Sequence, residues 1–360
     1  MRICKRCFRD SQLISMLDNY ICREDRKDKL EICPTCGSKS ICTFEVEAVA
    51  EQLSPYFNDL LDLYALSKED TGITLLKELR EVWGIFNPEV SNEDILDVIG
   101  ILCRDAIEYE PDFLNGNLEI SSRDRNKNLI IEDGDWDSFT TELKEINRYH
   151  SKRFNKEVFS SFLPALEEEI ALNHDFYRAR ISKENGFKID EMYAPPSEKS
   201  SDGRANAKGI FCLYLAGDKE TTLKEVRANA WDYVTIASFK SNRTLKLINL
   251  DKIKTVSPFQ IGSKERLRLN IDTLSIIDSE MKKGIRSSDG PLDYIPSQYI
   301  IDYIKSIYDD GKRRYDGVIY KSTLSENGTN YAMFESDCFD GVKVEVHHIT
   351  ALNYSHNRTH

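Results

Sequence analysis

Between residues 45 and 170 the apolar positions recur at steps of three and four. Trp136, Phe139, Leu143 and Ile146 make one stripe, Leu75, Leu76, Leu79, Val82 and Trp83 a second, and Ile95, Val98, Ile99 and Leu102 a third. This is the helical period, and core-facing stripes are what packed helices require, so the segment reads as a helical middle domain. Turn formers predict breaks at Gly84 to Pro88, Pro111 to Gly116 and Asp133 to Asp135. The acidic run Glu167-Glu168-Glu169 reads as a solvated helix face.

From residue 174 the pattern changes. Short β-rich runs are predicted at Ile210–Leu215, Tyr233–Phe239, Leu245–Leu250, Gly317–Tyr320, Tyr331–Phe334 and Val342–His348. Helical patterns stand between them at Thr221–Ala230, Thr273–Lys283 and Pro296–Ile307. The fold class is α+β, with a C-terminal mixed α/β part. A polar loop at 194–208, containing Pro and Gly, leads Arg204 toward the first run. The chain divides into residues 1–44, 45–172 and 173–360.

The first part is set by cysteines. Six of the nine lie within residues 1–42: Cys4, Cys7, Cys22, Cys33, Cys36 and Cys42. Cys4 with Cys7 and Cys33 with Cys36 form two CxxC knuckles, each able to present two thiolates on one side of a tight turn. Together they predict a four-sulfur structural Zn2+ site, with Gly37 suited to the turn after the second knuckle. Chance free thiols are the plain alternative, and either Cys22 or Cys42 could stand in for a ligand. A closed four-cysteine site has no open coordination position, so no metal catalysis is expected there. Cys103, Cys212 and Cys338 read as small buried hydrophobes.

Length and charge narrow the class. The chain has 360 residues, 40% hydrophobic and 31% charged, which suits two or three globular domains. Its net charge of −12 argues against broad nucleic-acid binding. Residues 1–42 are the exception, with nine Lys/Arg against six Asp/Glu. A local nucleic-acid contact is open there, with support of the neighbouring helices the preferred reading. No run of 18 apolar residues predicts a membrane helix, and the first ten residues lack a signal-peptide core, so a cytoplasmic protein is expected. There is no Walker loop, GxSxG elbow or HExxH pair. His347 and His348 are adjacent on a predicted strand and point to opposite faces, so they do not make one site.

The chemistry gathers in two segments. Gly203-Arg204-Ala205-Asn206 with Gly209 makes a Gly-Arg turn. Leu213-Tyr214-Leu215-Ala216 follows as a strand, and Thr221-Thr222-Leu223-Lys224-Glu225 as a helix that Glu225 is expected to open. Further on, Gly317 to Tyr320 precedes Ser322, Gly328, Asn330 and Phe334, with Ser322 ending the strand. Tyr177-Arg178-Ala179-Arg180 stands ahead of both. In this order the segments resemble the RES domain, a family named for its Arg, Glu and Ser, over roughly the C-terminal half of the chain. Where Thr222 stands the family more often has Ala, and residues 230–315 are not diagnostic. A zinc knuckle and helices ahead of such a domain resemble the HEPN/RES arrangement. Many HEPN domains are RNases with an Arg four to six residues before a His. Arg148 lies two before His150, and no Arg stands at that spacing before His174, so the middle reads as a non-catalytic scaffold or sensor.

The RES resemblance implies an enzyme that consumes NAD+. Cleaving the nicotinamide–ribose bond leaves an oxocarbenium-like ribose, and the pyridinium leaving group needs no proton. Arg204, with Arg178 or Arg180, would pair the diphosphate oxygens. Glu225 would accept from ribose hydroxyls and stabilise the cation. Ser322 would orient the ribose or a phosphate acceptor, Tyr214 would stack on a ring, and Asn330 would bond the ligand or tie its strand turn. Alone, each reads as a surface, turn or core residue; their joint order carries the function. Hydrolysis or phosphorolysis, as in a bacterial toxin or antiphage defence effector, is the first expectation. Protein ADP-ribosylation and a dead, partner-binding fold are the alternatives. The implied partners are NAD+ and an antitoxin or trigger protein; a homo-oligomer is left open.

Overall fold

The largest element of the structure is an eight-stranded mixed sheet whose central strands are short apolar runs buried on both faces. A computed structural model describes residues 1–21, 31–39, 42–68, 72–283 and 290–352. The strands are β1 Glu167–Ile170, β2 Asp175–Ser182, β3 Leu213–Ala216, β4 Tyr233–Ser241, β5 Leu245–Asn249, β6 Gly317–Lys321, β7 Thr329–Met333 and β8 Phe339–His348. Their order is β8-β4-β2-β3-β7-β6-β5-β1, antiparallel except for the β5–β6 pair. Each strand contributes to one buried cluster, from Ile170 and Phe176 through Leu213, Leu215, Phe239, Leu247, Ile319 and Met333 to Phe339.

The register fixes what shares the other face. Residues directly opposite in neighbouring strands point the same way. Tyr320 pairs with Asn330 and Asn330 with Ala216, so these three form a row. Val318, Ala332 and Tyr214 form the next. Both rows are offset by one residue from the core cluster, so they lie on the opposite face. Tyr214, flanked by core Leu213 and Leu215, therefore points away from them.

Three helices matter for the site: α1 Lys219–Glu225, α2 Lys264–Lys282 and α3 Ile295–Lys305. Asp218 caps α1, its two oxygens accepting the N–H and the hydroxyl of Thr221 at 2.7 Å each. Glu225 closes this helix rather than opening one. The acidic run 167–169 is also corrected, being strand β1 at the sheet edge. Two of its carboxylates are paired: Glu167 with Arg314 at 2.8 Å, and Glu168 with Lys252 at 2.6 Å and Asn249 at 2.8 Å. Charges on an edge strand also discourage pairing with another chain.

The chain forms two compact units, Met1–Leu129 with Thr255–Ile271, and Ile130–Lys254 with Asp272–His360. The first holds helices Ser11–Ile21, Ala50–Leu61 and Asn92–Leu102, and also β structure that the periodicity did not predict. Arg2–Cys4 pairs with Thr43–Glu45, and Asn117–Ile120 with both Tyr64–Leu66 and Ile73–Thr74. The stripe of Asn92–Leu102 is buried at all four predicted positions. The stripe from Trp136, in the second unit, is buried through Leu143, but a π turn at Glu142–Ile146 shifts its phase and leaves Ile146 78% exposed. No helix among the described residues is long and apolar enough to cross a membrane.

The inserted segment Thr255–Ile271 is bound into the first unit by a buried charge. Glu78 is fully buried and accepts from Arg268 at 2.8 and 2.6 Å and from the Tyr64 hydroxyl at 2.8 Å. The Tyr64 oxygen in turn accepts from Trp83 at 2.8 Å. A buried carboxylate is tolerated only with such partners. Arg268→Met leaves Glu78 unpaired and is predicted to destabilise the first unit by about 3–5 kcal/mol, measured by denaturant unfolding. A loss below about 1 kcal/mol would show that the pair is not needed.

Candidate active site and cysteine cluster

Glu225 is the centre of the site. Its Oε1 accepts from the Ser322 hydroxyl at 2.6 Å and from Asn330 Nδ2 at 2.7 Å. Both donors are buried. Ser322 is fixed in turn, because its oxygen accepts the N–H groups of Leu324 and Ser325 at 3.1 Å each. It thus acts as a turn residue and still directs its one proton to Glu225. Gly328 permits this packing: a Cβ there would lie 2.4 Å from Thr221 Oγ1 in the first turn of α1.

Glu225 lines a cavity of about 290 Å3 with Arg178, Arg204, Tyr214, Tyr320 and Asn330. Ser322 reaches it through Glu225. The walls also carry Arg227 and Lys321, so basic groups outnumber the single carboxylate, in a chain of net charge −12. Such a cavity suits an anion.

The two arginines left open by the sequence part here. Arg180 is turned aside, its guanidinium 4.5 Å from the centre of the Phe187 ring and bonded to the Glu191 carbonyl at 2.5 Å. Arg178 lines the cavity, with Nη1 3.4 Å from the Tyr214 carbonyl and a buried Nε that has no partner among the described residues. Burial, with Arg180 adding to it, lowers its pKa to about 10, so it remains charged at neutral pH. An unmet buried donor of this kind costs about 1–3 kcal/mol, which an arriving anion would relieve.

Arg204 departs from the simple picture of a phosphate fork. Its Nη1 donates to the Glu280 carbonyl at 2.5 Å and its Nη2 to the Lys283 carbonyl, at the C-terminal end of α2. A guanidinium is favoured there, where helix carbonyls lack partners. The Gly203–Asn206 turn is held from several sides. The Tyr214 hydroxyl donates to Asn206 Oδ1 at 2.7 Å and accepts the Ala205 N–H at 3.0 Å. Ser297 donates to the Arg204 carbonyl, and Gln298 to those of Gly203 and Asn206, all at 2.9 Å. A Cβ on Gly203 would lie 2.4 Å from the Tyr214 hydroxyl. Tyr214 thus supplies a ring to the cavity wall and uses its hydroxyl to position the turn.

Sequence reasoning missed Tyr320 and Arg227. Tyr320 is legible in hindsight, two residues before Ser322 on an alternating strand. Arg227 had no signal. It takes a left-handed conformation, φ 51°, just past the end of α1, where glycine is usual. That conformation costs a non-glycine residue about 1–2 kcal/mol and sets Arg227 in the cavity wall.

Residues 175–356 match the RES domain. The chain belongs to that family. RES domains are associated with NAD+-related toxin activity, which makes NAD+ the expected substrate. No curated protein and no solved structure matches the chain at a significant level. The match begins after the middle segment and carries nothing about a HEPN likeness there.

Away from this cavity, in the first unit, Cys4, Cys7, Cys33 and Cys36 cluster with all sulfurs within 4.8 Å of one another. Cys4 and Cys36 are 3.6 Å apart, as are Cys7 and Cys33. Thiolates around one Zn2+ stand about 3.8 Å apart, given Zn–S bonds of about 2.3 Å, so the donor set fits a tetrahedral ion. The Cys7 thiol, through its hydrogen bond, lowers the pKa of Cys4. Gly37 closes the second knuckle in a left-handed turn, φ 67°, and its N–H bonds the Cys33 carbonyl at 2.9 Å. Cys42 is not one of the four, and Cys22 lies outside the described residues. The buried thiols Cys103, Cys212 and Cys338 are each pushed up to about 12 by burial, as expected of unreactive core groups.

Proposed function

We propose that the protein cleaves the nicotinamide–ribose bond of NAD+, transferring the ribosyl carbon to water or phosphate. The observation that carries this reading is the Glu225 carboxylate, held by Ser322 and Asn330 in the wall of a basic cavity. The bond between C1′ and the pyridinium nitrogen breaks with its electron pair going to nicotinamide. Positive charge develops at C1′ and the ring oxygen, and a preorganised carboxylate stabilises it. Both recorded bonds fall on one oxygen of Glu225, so the carboxylate keeps acceptor capacity for ribose hydroxyls. Arg178 is the primary diphosphate ligand, since its Nε has no other partner among the described residues. Arg204 retains donors beyond the two given to α2 and adds to the same field. Tyr214 and Tyr320 offer aromatic surface to the ring systems.

This chemistry suits a toxin or defence effector that depletes NAD+. Purified protein incubated with NAD+ is predicted to release nicotinamide. Loss of NAD+ with and without phosphate identifies a glycohydrolase, and loss only with phosphate a phosphorylase. Label transferred to a protein would replace this reading with ADP-ribosylation, and no NAD+ loss under any of these conditions would contradict it.

We also propose a structural Zn2+ bound by Cys4, Cys7, Cys33 and Cys36, supporting the N-terminal segment without taking part in catalysis. Elemental analysis is expected to find about one zinc per chain, removed by Cys33→Ser with a fall in melting temperature. Metal-free protein with an unchanged melting temperature in Cys33→Ser would argue against the site.

A further inference from the structure

We infer that a second cavity in the same unit binds a nucleoside phosphate, and that the loop 202–208 transmits its occupancy to the Glu225 cavity. The second cavity has a volume of about 520 Å3. One wall is α3, where Ile295, Gln298, Tyr299, Asp302 and Tyr303 follow the spacing of a single helix face. Asp202, Ala207 and Lys208 also line it. The neighbouring Gly203 and Arg204 line the Glu225 cavity, so one loop borders both.

The lining chemistry selects the ligand class. Tyr299 is backed edge-on by Phe139 and Phe154, with ring centres at 5.6 and 5.5 Å. The Tyr303 hydroxyl is held by the Lys156 carbonyl at 3.1 Å and by Ser160. Tyr149 stands on the lining at 82% exposure. The held rings of Tyr299 and Tyr303 and the exposed ring of Tyr149 give a base a stacking surface, with Lys156 Nζ 5.6 Å from the centre of the Tyr303 ring. Arg148, Lys156 and Lys208 add cations for a phosphate, and Asp202 and Asp302 add acceptors for amino or hydroxyl groups. A flat ring carrying an anionic group uses all three kinds of contact. A plain anion would leave the rings unused, and a purely apolar ligand would strand the charges.

The connection to the first cavity runs through Gln298. It lines the second cavity while its amide donates to the carbonyls of Gly203 and Asn206 at 2.9 Å each. Asp202 closes the loop by accepting the Lys208 N–H at 2.9 Å. A ligand that engages Gln298, Asp202 or Lys208 therefore acts on the groups that hold the turn bearing Arg204. It shifts that turn by as much as its affinity differs between the turn's conformations. The consequence for NAD+ turnover rests on the function proposed above; binding at the second cavity does not.

The test is calorimetric titration of the full chain with AMP, together with hydrogen exchange at the Gly203 and Ala205 amides. Binding is expected to survive Arg178→Ala and to weaken about tenfold or more in the double variant Tyr149→Ala, Lys208→Glu. Exchange at the two amides is expected to slow several-fold when AMP binds. Three results would overturn the site: no AMP binding, binding lost in Arg178→Ala but kept in the double variant, or binding of a short oligoribonucleotide without AMP. Unchanged exchange on AMP binding would overturn the coupling. Because no arm measures NAD+ turnover, failure here is distinct from failure of the catalytic reading.

Discussion

One oxygen of Glu225 ties together three parts of the second unit. It accepts from Ser322, in the turn after β6, and from Asn330, on β7, while Glu225 itself ends α1. Hydrogen bonds to a charged group contribute about 1.5–3 kcal/mol each, enough to hold a short helix end in register with two strands. The rest of the site follows from meeting this constraint. Gly328 lets α1 approach, Asp218 starts the helix, and the left-handed turn at Arg227 ends it beside the cavity. Ser322 has a single orientation because two backbone N–H groups occupy its oxygen.

The second wall is organised around a backbone turn. Gln298, Ser297 and Tyr214 satisfy the polar groups of Gly203–Asn206, and Arg204 satisfies carbonyls at the end of α2. Arg204 thus lines the cavity and is also structural. In the proposed reading the greater share of anion binding falls to Arg178, whose buried Nε has no partner among the described residues. An acidic chain concentrates positive charge around this cavity, and the local field rather than the net charge decides which ligand is attracted.

The order of Arg, Glu and Ser, the knuckle spacing and most strands of the large sheet were legible because each rests on local pattern. What failed to show depends on distant partners. β1 reads as helix because three consecutive glutamates do not alternate; its neighbour is β5, some 80 residues away in sequence. Arg178 and Arg180 lie two apart on one strand, a spacing that puts both on one face, and only Phe187 and Glu191 separate them. Glu78 resembles any helix-surface glutamate until Arg268, 190 residues on, is seen against it. Ile146 extends a correct stripe, but the π turn that exposes it leaves no mark in periodicity.

If the cavity cleaves NAD+ as proposed, the reaction depends on the Glu225 carboxylate. The most direct measurement compares nicotinamide release by the wild-type chain and by Glu225→Gln at saturating NAD+, with NAD+ binding measured for both. Affinities are expected within a few-fold of each other, with a rate lower by about a hundredfold or more in the variant, because loss of the charge affects the oxocarbenium state most. Equal rates at equal occupancy would contradict it.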